Sequence, residues 1–211
     1  LAGLSLKQDQ TGDKWLTARA RFFSSFGLLI FALSIAFASF DWLMSLDYHW
    51  FSTMFGVYYF AGSMQSAIAL LIIILTTLHL RGKLGAAYTI EHMHDHGKLM
   101  FAFTAFWGYV TFCQYFLIWY GNIPEETAFY NLRVGEHWQP LTYIMVVAHF
   151  VVPFLLLLIR NVKRNPQTLR AVAIWVFFAH IIDIYFLVRP VVHSAHFGDE
   201  AWVDVFGILG P

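Results

Sequence analysis

Five long stretches of the chain are almost entirely apolar, and short polar segments separate them. They cover residues 22–45, 54–80, 98–120, 141–160 and 171–188. A helix rises about 1.5 Å per residue, so about 20 residues cross the roughly 30 Å hydrocarbon core of a bilayer. Lipid offers no hydrogen-bond partner to the backbone, so an apolar run of this length must be helical there. The pattern predicts an all-α, polytopic transmembrane helix bundle over residues 22–190.

The two ends of the chain differ from this pattern. Residues 1–21 are polar, and we predict a cytoplasmic loop or surface segment there. Residues 191–211 carry histidines and acids and then turn apolar again at 205–209. We predict an outer-side tail followed by the start of a further span.

The basic residues predict an orientation. Of the 13 Lys and Arg residues, 11 lie in the segments 1–21, 81–98 and 160–170, and only Arg133 and Arg189 lie in the others. Cytoplasmic loops of membrane proteins are enriched in Lys and Arg. The three basic segments are therefore predicted to be cytoplasmic.

Composition agrees with a membrane protein and excludes several other classes. Charged residues make up 12% of the chain, against about 25% in a typical soluble domain. The formal net charge is zero, so bulk charge indicates no nucleic-acid partner. Cys113 is the single cysteine, which excludes an internal disulfide and a cysteine-ligated cluster.

Three ionisable residues lie deep inside predicted spans, namely His149, His180 and Asp183. A charge at mid-bilayer costs at least about 2.5–3.5 kcal/mol, so such residues normally face the bundle interior. His180 and Asp183 are three residues apart and share one helix face. His149 lies at a similar depth in the preceding, antiparallel span. We expect the three side chains to meet inside the bundle.

These residues and others nearer the membrane surfaces form a candidate proton pathway: Asp41, His79, Glu91, Asp95, His149, His180 and Asp183. The alternative for each is a static packing hydrogen bond or a solvated surface position. Asp95 is also expected to cap the helix that follows it. His92 and His96 have metal-ligand spacing, but we predict no metal site and no catalytic residue, and we assign no quinone-binding residue.

Four long strings of residues resemble one family. They are HDHGKLMFAFTAFWGYVTFCQYFLIWYGNIPEE, FASFDWLMSLDYHWFSTMFGVYYFAGS, VVPFLLLLIRNVKRNP and AHIIDIYFLVRP. They resemble the second of the two homologous NrfD/PsrC-like membrane subunits of bacterial alternative complex III, a quinol:cytochrome c oxidoreductase. The resemblance covers about residues 8–190. Family members have about ten helices in two four-helix bundles, so the chain is similar to roughly the C-terminal half of one.

The resemblance implies a subunit of a respiratory complex in the bacterial cytoplasmic membrane. It would provide a transmembrane proton pathway and part of a quinone site, with menaquinol or ubiquinol as the quinol. This chain would bind no cofactor except such a quinone. Haem c and iron–sulfur clusters would belong to partner subunits, among them a homologous NrfD-like subunit.

Two other functions stay open on the residues alone. The chain could be a b-type cytochrome with His149 and His180 as axial haem ligands, although a bundle with two haems usually needs four such histidines. It could also be a structural scaffold that holds peripheral redox subunits in the membrane.

Overall fold

The computed structural model describes residues 2–135 and 137–192 and confirms the all-α class. The described residues form eight helices and no strand. These are α1 (Ala2–Thr11), α2 (Lys14–Trp42), α3 (Met54–Leu80), α4 (Ile90–Gly121), α5 (Pro124–Val134), α6 (Gln139–Leu158), α7 (Arg160–Arg164) and α8 (Pro166–Val192). Short 3-10 turns lie at Met44–Leu46 and Gly85–Ala87.

Five of these helices, α2, α3, α4, α6 and α8, are long and apolar enough to cross a membrane. They correspond one to one with the five predicted spans, and α3 has the predicted bounds. The chain is therefore a multi-pass membrane protein. The predicted start of a sixth span falls in 193–211, outside the described residues.

Residues 2–21 are mostly helical rather than a loop, and no residue of α1 is buried, so α1 is a surface helix. The cytoplasmic side of this segment stays a prediction. Asp13 caps α2 by accepting a hydrogen bond from the backbone N–H of Trp15 at 2.9 Å. The helix therefore begins at Lys14, eight residues before the apolar run. Lys and Arg side chains at a helix end can extend to the membrane surface, so charge does not end the helix.

The start of α4 also differs from the prediction. Thr89 is the N-cap, and its side chain pairs with His92 in a capping box. Asp95 lies in the second turn and forms an ion pair with Lys98 at 2.7 Å. Asp95 is therefore not the cap, because Thr89 satisfies the free N–H groups one turn and a half earlier.

Helix α3 is the centre of the bundle and packs against α2, α4 and α8. A Cβ atom at Gly56 would lie 2.8 Å from the Cβ of Ala36, so glycine permits α2 and α3 to approach closely there. Much of the remaining surface of α2 is exposed, including Phe22, Phe26 and Phe37. Exposed aromatic side chains of this kind suit contact with lipid or with a neighbouring helix.

The buried side chains form two apolar layers along the bundle. One layer contains Trp50, Phe55 and Trp107 and lies near the start of α3. The other contains Ile72, Met100 and further aliphatic residues and lies toward the end of α3. Along α8, His180 and Asp183 lie between Val176 of the second layer and Phe186 of the first.

The basic segments share one face of the bundle. Arg164 donates to a carboxylate oxygen of Glu91 at 2.7 Å, which joins the segment after α6 to the start of α4. The end of α3 is connected to the same face by the short turn before α4. This arrangement agrees with antiparallel neighbouring spans, and the cytoplasmic side stays a prediction.

We expect a cysteine introduced by Lys83→Cys, in a Cys113→Ala background, to resist an impermeant thiol reagent in intact spheroplasts. Lys83 is exposed in the turn between α3 and α4, on the predicted cytoplasmic face. A Tyr48→Cys, Cys113→Ala control changes a residue that is 85% exposed on the opposite face and should react. Labelling of position 83 but not position 48 would reverse the orientation.

Candidate functional site

His149 lies in a stretch of π-helix within α6, Val146–Val151. Pro153 has no N–H, so it cannot donate to the carbonyl of His149 as an α-helix would require. The widened turn leaves carbonyl groups available, and the indole N–H of Trp175 donates to the carbonyl of Ala148 at 2.8 Å. The local sequence thus produces an irregular turn that is fastened to α8. The His149 side chain is completely buried there.

The structure brings His149, His180 and Asp183 together, as the sequence predicts. Oδ2 of Asp183 lies 3.6 Å from Nδ1 of His149 and 3.5 Å from Nδ1 of His180. The centres of the two imidazole rings are 5.6 Å apart. All three residues are buried, and Asp183 is only 2% exposed.

Tyr58 completes this group from α3. Its hydroxyl donates a hydrogen bond to Oδ1 of Asp183, the carboxylate oxygen that does not face the histidines. A hydrogen bond to a charged group typically contributes about 1.5–3 kcal/mol. We call Tyr58, His149, His180 and Asp183 the Asp183 centre. Its members come from three different spans.

Close packing holds the centre in place. A Cβ atom added at Gly62 would lie 3.0 Å from Cε1 of His180, so only glycine fits there without displacement. The ring centre of Trp107 lies 4.2 Å from that of His149, in an edge-to-face arrangement. Both ring nitrogens of His149, Nδ1 of His180 and the indole N–H of Trp107 make no hydrogen bond with any described residue.

A second buried polar pair continues from the centre toward the predicted cytoplasmic side. The side-chain amide of Gln65 donates to the hydroxyl of Thr104 at 3.0 Å, and both residues are fully buried. Beyond them lie Ile68, Ala69 and Ile72, which are buried apolar residues of α3. The next buried polar residue of α3 is Thr76. It lies 11 positions after Gln65, or about 16 Å along the helix. An apolar layer thus separates the centre from that side.

The four remaining residues of the predicted pathway lie away from the Asp183 centre. Asp41 is exposed at the end of α2, Glu91 pairs with Arg164, and Asp95 pairs with Lys98. His79 lies near the end of α3, and its Nδ1 is buried without a hydrogen bond to a described residue. Its ring contacts the ring of Tyr88, with centres 5.9 Å apart. In this arrangement the apolar layer interrupts the predicted pathway between His79 and the Asp183 centre.

The Asp183 centre has a donor set that could also hold a cation. One ligand atom from each of His149, His180 and Asp183 lies within 4.8 Å of the others. A divalent ion with this single carboxylate would leave net charge inside the bundle, which is costly in a medium of low polarity. His92 and His96 have metal-ligand spacing, but His92 is part of the helix cap: its Nδ1 accepts a hydrogen bond from the backbone N–H of Thr89.

A pocket of about 710 Å³ adjoins the centre. Its walls come from α3, α4, α5, α6 and α8 and are mostly aromatic. Tyr58 belongs to both the pocket and the centre, and Trp107 lines the pocket and packs on His149. Gln114 and Thr111 add polar groups to the lining. This composition suits a flat, uncharged ring with a few hydrogen-bonding groups.

Sequence reasoning missed Tyr58, Gln65 and Thr104 as members of the site. Tyr58 is 125 positions from Asp183 in the chain, so no local spacing connects them. Gln65 is the only amide in residues 54–80. A single polar side chain in a long apolar run could have indicated a buried polar site.

Comparison with known proteins adds no family assignment. No protein-family model matches the chain, and no curated protein matches it.

Proposed function

We propose that this chain is a membrane subunit of a bacterial respiratory quinol:cytochrome c oxidoreductase of the alternative complex III type. In this proposal the Asp183 centre transfers protons within the subunit. The observation that carries the proposal is a buried carboxylate that faces two imidazoles and a phenol inside a membrane bundle. The resemblance of the long sequence strings supplies the type of complex.

The geometry suits proton exchange because each group can both give and accept a proton. An imidazole ring can accept a proton at one nitrogen and donate a proton from the other. The distances of 3.5 and 3.6 Å to Oδ2 of Asp183 are slightly longer than a hydrogen bond, so a small ring rotation closes either one. Asp183 can therefore pass a proton between His149 and His180, while Tyr58 holds its other oxygen.

The centre is nearer to the predicted outer face. Tyr58 lies four residues after the start of α3, which is about 6 Å along the helix. The layer of Ile68, Ala69 and Ile72 lies on the opposite side of the centre. The path to the outer side is thus the shorter one, but an apolar layer lies on each side of the centre, so proton exchange with either face requires water to enter a layer.

The haem alternative has weaker support. The Asp183 carboxylate lies beside Nδ1 of both histidines, and Gly62 and Trp107 pack directly on the two rings. These contacts favour acid–base chemistry over an iron between the imidazoles.

Replacement of Asp183 by Asn tests the proton role. Asn keeps the shape of the side chain and one oxygen acceptor, but its amide does not take up or release a proton as a carboxylate does. Because general acid–base groups typically contribute about 10²–10⁴-fold, we expect quinol-driven turnover or proton translocation to fall at least about tenfold. The complex should assemble normally. Turnover and proton stoichiometry are measured in membranes.

The matched control is Asp9→Asn, an exposed residue of α1, which should keep full activity. Wild-type turnover and proton stoichiometry in Asp183→Asn would reject the relay. That outcome would favour the scaffold function instead.

The aromatic pocket supports a second element of the proposal, a quinone site. Its volume of about 710 Å³ and its lining suit a quinone head group. Tyr58 lines the pocket and donates a hydrogen bond to Asp183, so a quinol bound in the pocket would lie next to the Asp183 centre. Oxidation of a quinol releases protons, and the Asp183 centre is placed to accept them.

Filling the pocket tests the quinone site. Ala105 lines the pocket from α4, and leucine at this position would occupy part of the volume. We expect Ala105→Leu to weaken binding of a short-chain ubiquinone by about tenfold or more, a loss of about 1.4 kcal/mol. Titration of the purified full-length protein measures this affinity. The control Ala102→Leu changes an exposed residue of the same helix, and equal weakening in both variants would reject the site.

A further inference from the structure

Arg133 is the one fully buried arginine among the described residues, although it lies outside the membrane spans. It belongs to α5, the short helix between α4 and α6. The pattern of charges predicts only a loop residue at this position. Arg, with its planar group of five N–H donors, is rarely buried unless those donors find acceptors.

The guanidinium of Arg133 finds its acceptors on the backbone. Its Nε donates to the carbonyl of Phe186 at 3.1 Å, and Nη2 donates to the carbonyl of Leu187 at 2.7 Å. Nη1 donates to the carbonyl of Phe129 at 2.8 Å, and the guanidinium lies 3.4 Å above the centre of the Phe129 ring. Two of these three hydrogen bonds join α5 to α8.

A proline in α8 explains why a carbonyl is available to Arg133. In an α-helix the carbonyl of Phe186 would accept from the N–H of residue 190, but Pro190 has none. The Nε of Arg133 replaces this missing donor. Arg133 and Pro190 are thus complementary parts of one connection.

This connection lies next to the Asp183 centre. Phe186 and Leu187 follow Asp183 by three and four positions, so they lie one turn farther along the same face of α8. Burial lowers the pKa of Arg133 to about 9, which still leaves the guanidinium protonated at neutral pH. Arg133 is also coupled electrostatically to Tyr58, the residue that donates a hydrogen bond to Asp183.

We propose that Arg133 is a positioning residue for Asp183. Its hydrogen bonds to Phe186 and Leu187 hold the turn that follows Asp183, and its charge favours the ionised carboxylate. The other groups that face Asp183 are Tyr58 from α3, His149 from α6 and His180 from α8. The effect on turnover rests on the proposed function, whereas the effect on the carboxylate does not.

Two substitutions separate charge from hydrogen bonding. Arg133→Met removes the charge and keeps an elongated side chain, and Arg133→Lys keeps the charge but loses the planar group. The protonation of Asp183 is followed by infrared spectroscopy of the full-length protein in its native membranes. The carboxylic acid band of Asp183 is assigned by its absence in Asp183→Asn.

We expect the band to appear at a pH about one unit or more higher in Arg133→Met than in the wild type. This shift corresponds to a tenfold change in proton affinity. Arg133→Lys should leave the band close to its wild-type pH while turnover falls, because the turn is held less firmly. The control Lys98→Met removes an exposed cation that pairs with Asp95 and should not move the band.

An unchanged band in folded Arg133→Met would overturn the proposal. If Arg133→Met does not assemble, Arg133→Lys decides it, since a shift of about one unit with the charge retained contradicts the role of the charge. Full activity in Asp183→Asn would reject the relay but would leave the infrared result standing. Failure of the two proposals is thus distinguishable.

Discussion

A carboxylate that cannot reach water must be stabilised by the side chains around it, and Asp183 imposes this condition on the bundle. An isolated buried charge is too costly to persist without partners. Tyr58, His149 and His180 provide those partners from α3, α6 and α8. The three helices can meet only if their packing is close, which accounts for glycine at position 62.

The irregular turns of the helices have the same origin. Pro153 accompanies the π-helical stretch that carries His149, and Pro190 exposes the carbonyl that Arg133 binds. In both cases a proline removes a backbone N–H, and a distant side chain makes a hydrogen bond to a carbonyl nearby. Departures from regular helix thus connect α8 to α6 and to α5, next to the ionisable residues.

The sequence predicts the long helices well because apolar length alone determines them. The bounds of α3 agree with its predicted span, whereas α2 and α4 begin earlier because Asp13 and Thr89 cap them. The meeting of His180 and Asp183 follows from their spacing of three residues. The roles of Tyr58 and Arg133 depend on contacts between distant helices. The spans are apolar on every side, so hydrophobic periodicity does not reveal which face is inward.

The most direct test is to observe the histidines of the Asp183 centre by nitrogen-15 nuclear magnetic resonance. The full-length protein is labelled at histidine, and His149 and His180 are assigned by single replacement. If Asp183 faces both rings, Asp183→Asn should shift the Nδ1 signals of His149 and of His180 at a single pH, because Oδ2 of Asp183 lies 3.6 and 3.5 Å from these atoms. Nδ1 signals of both rings that are the same in the wild type and in Asp183→Asn would contradict the account.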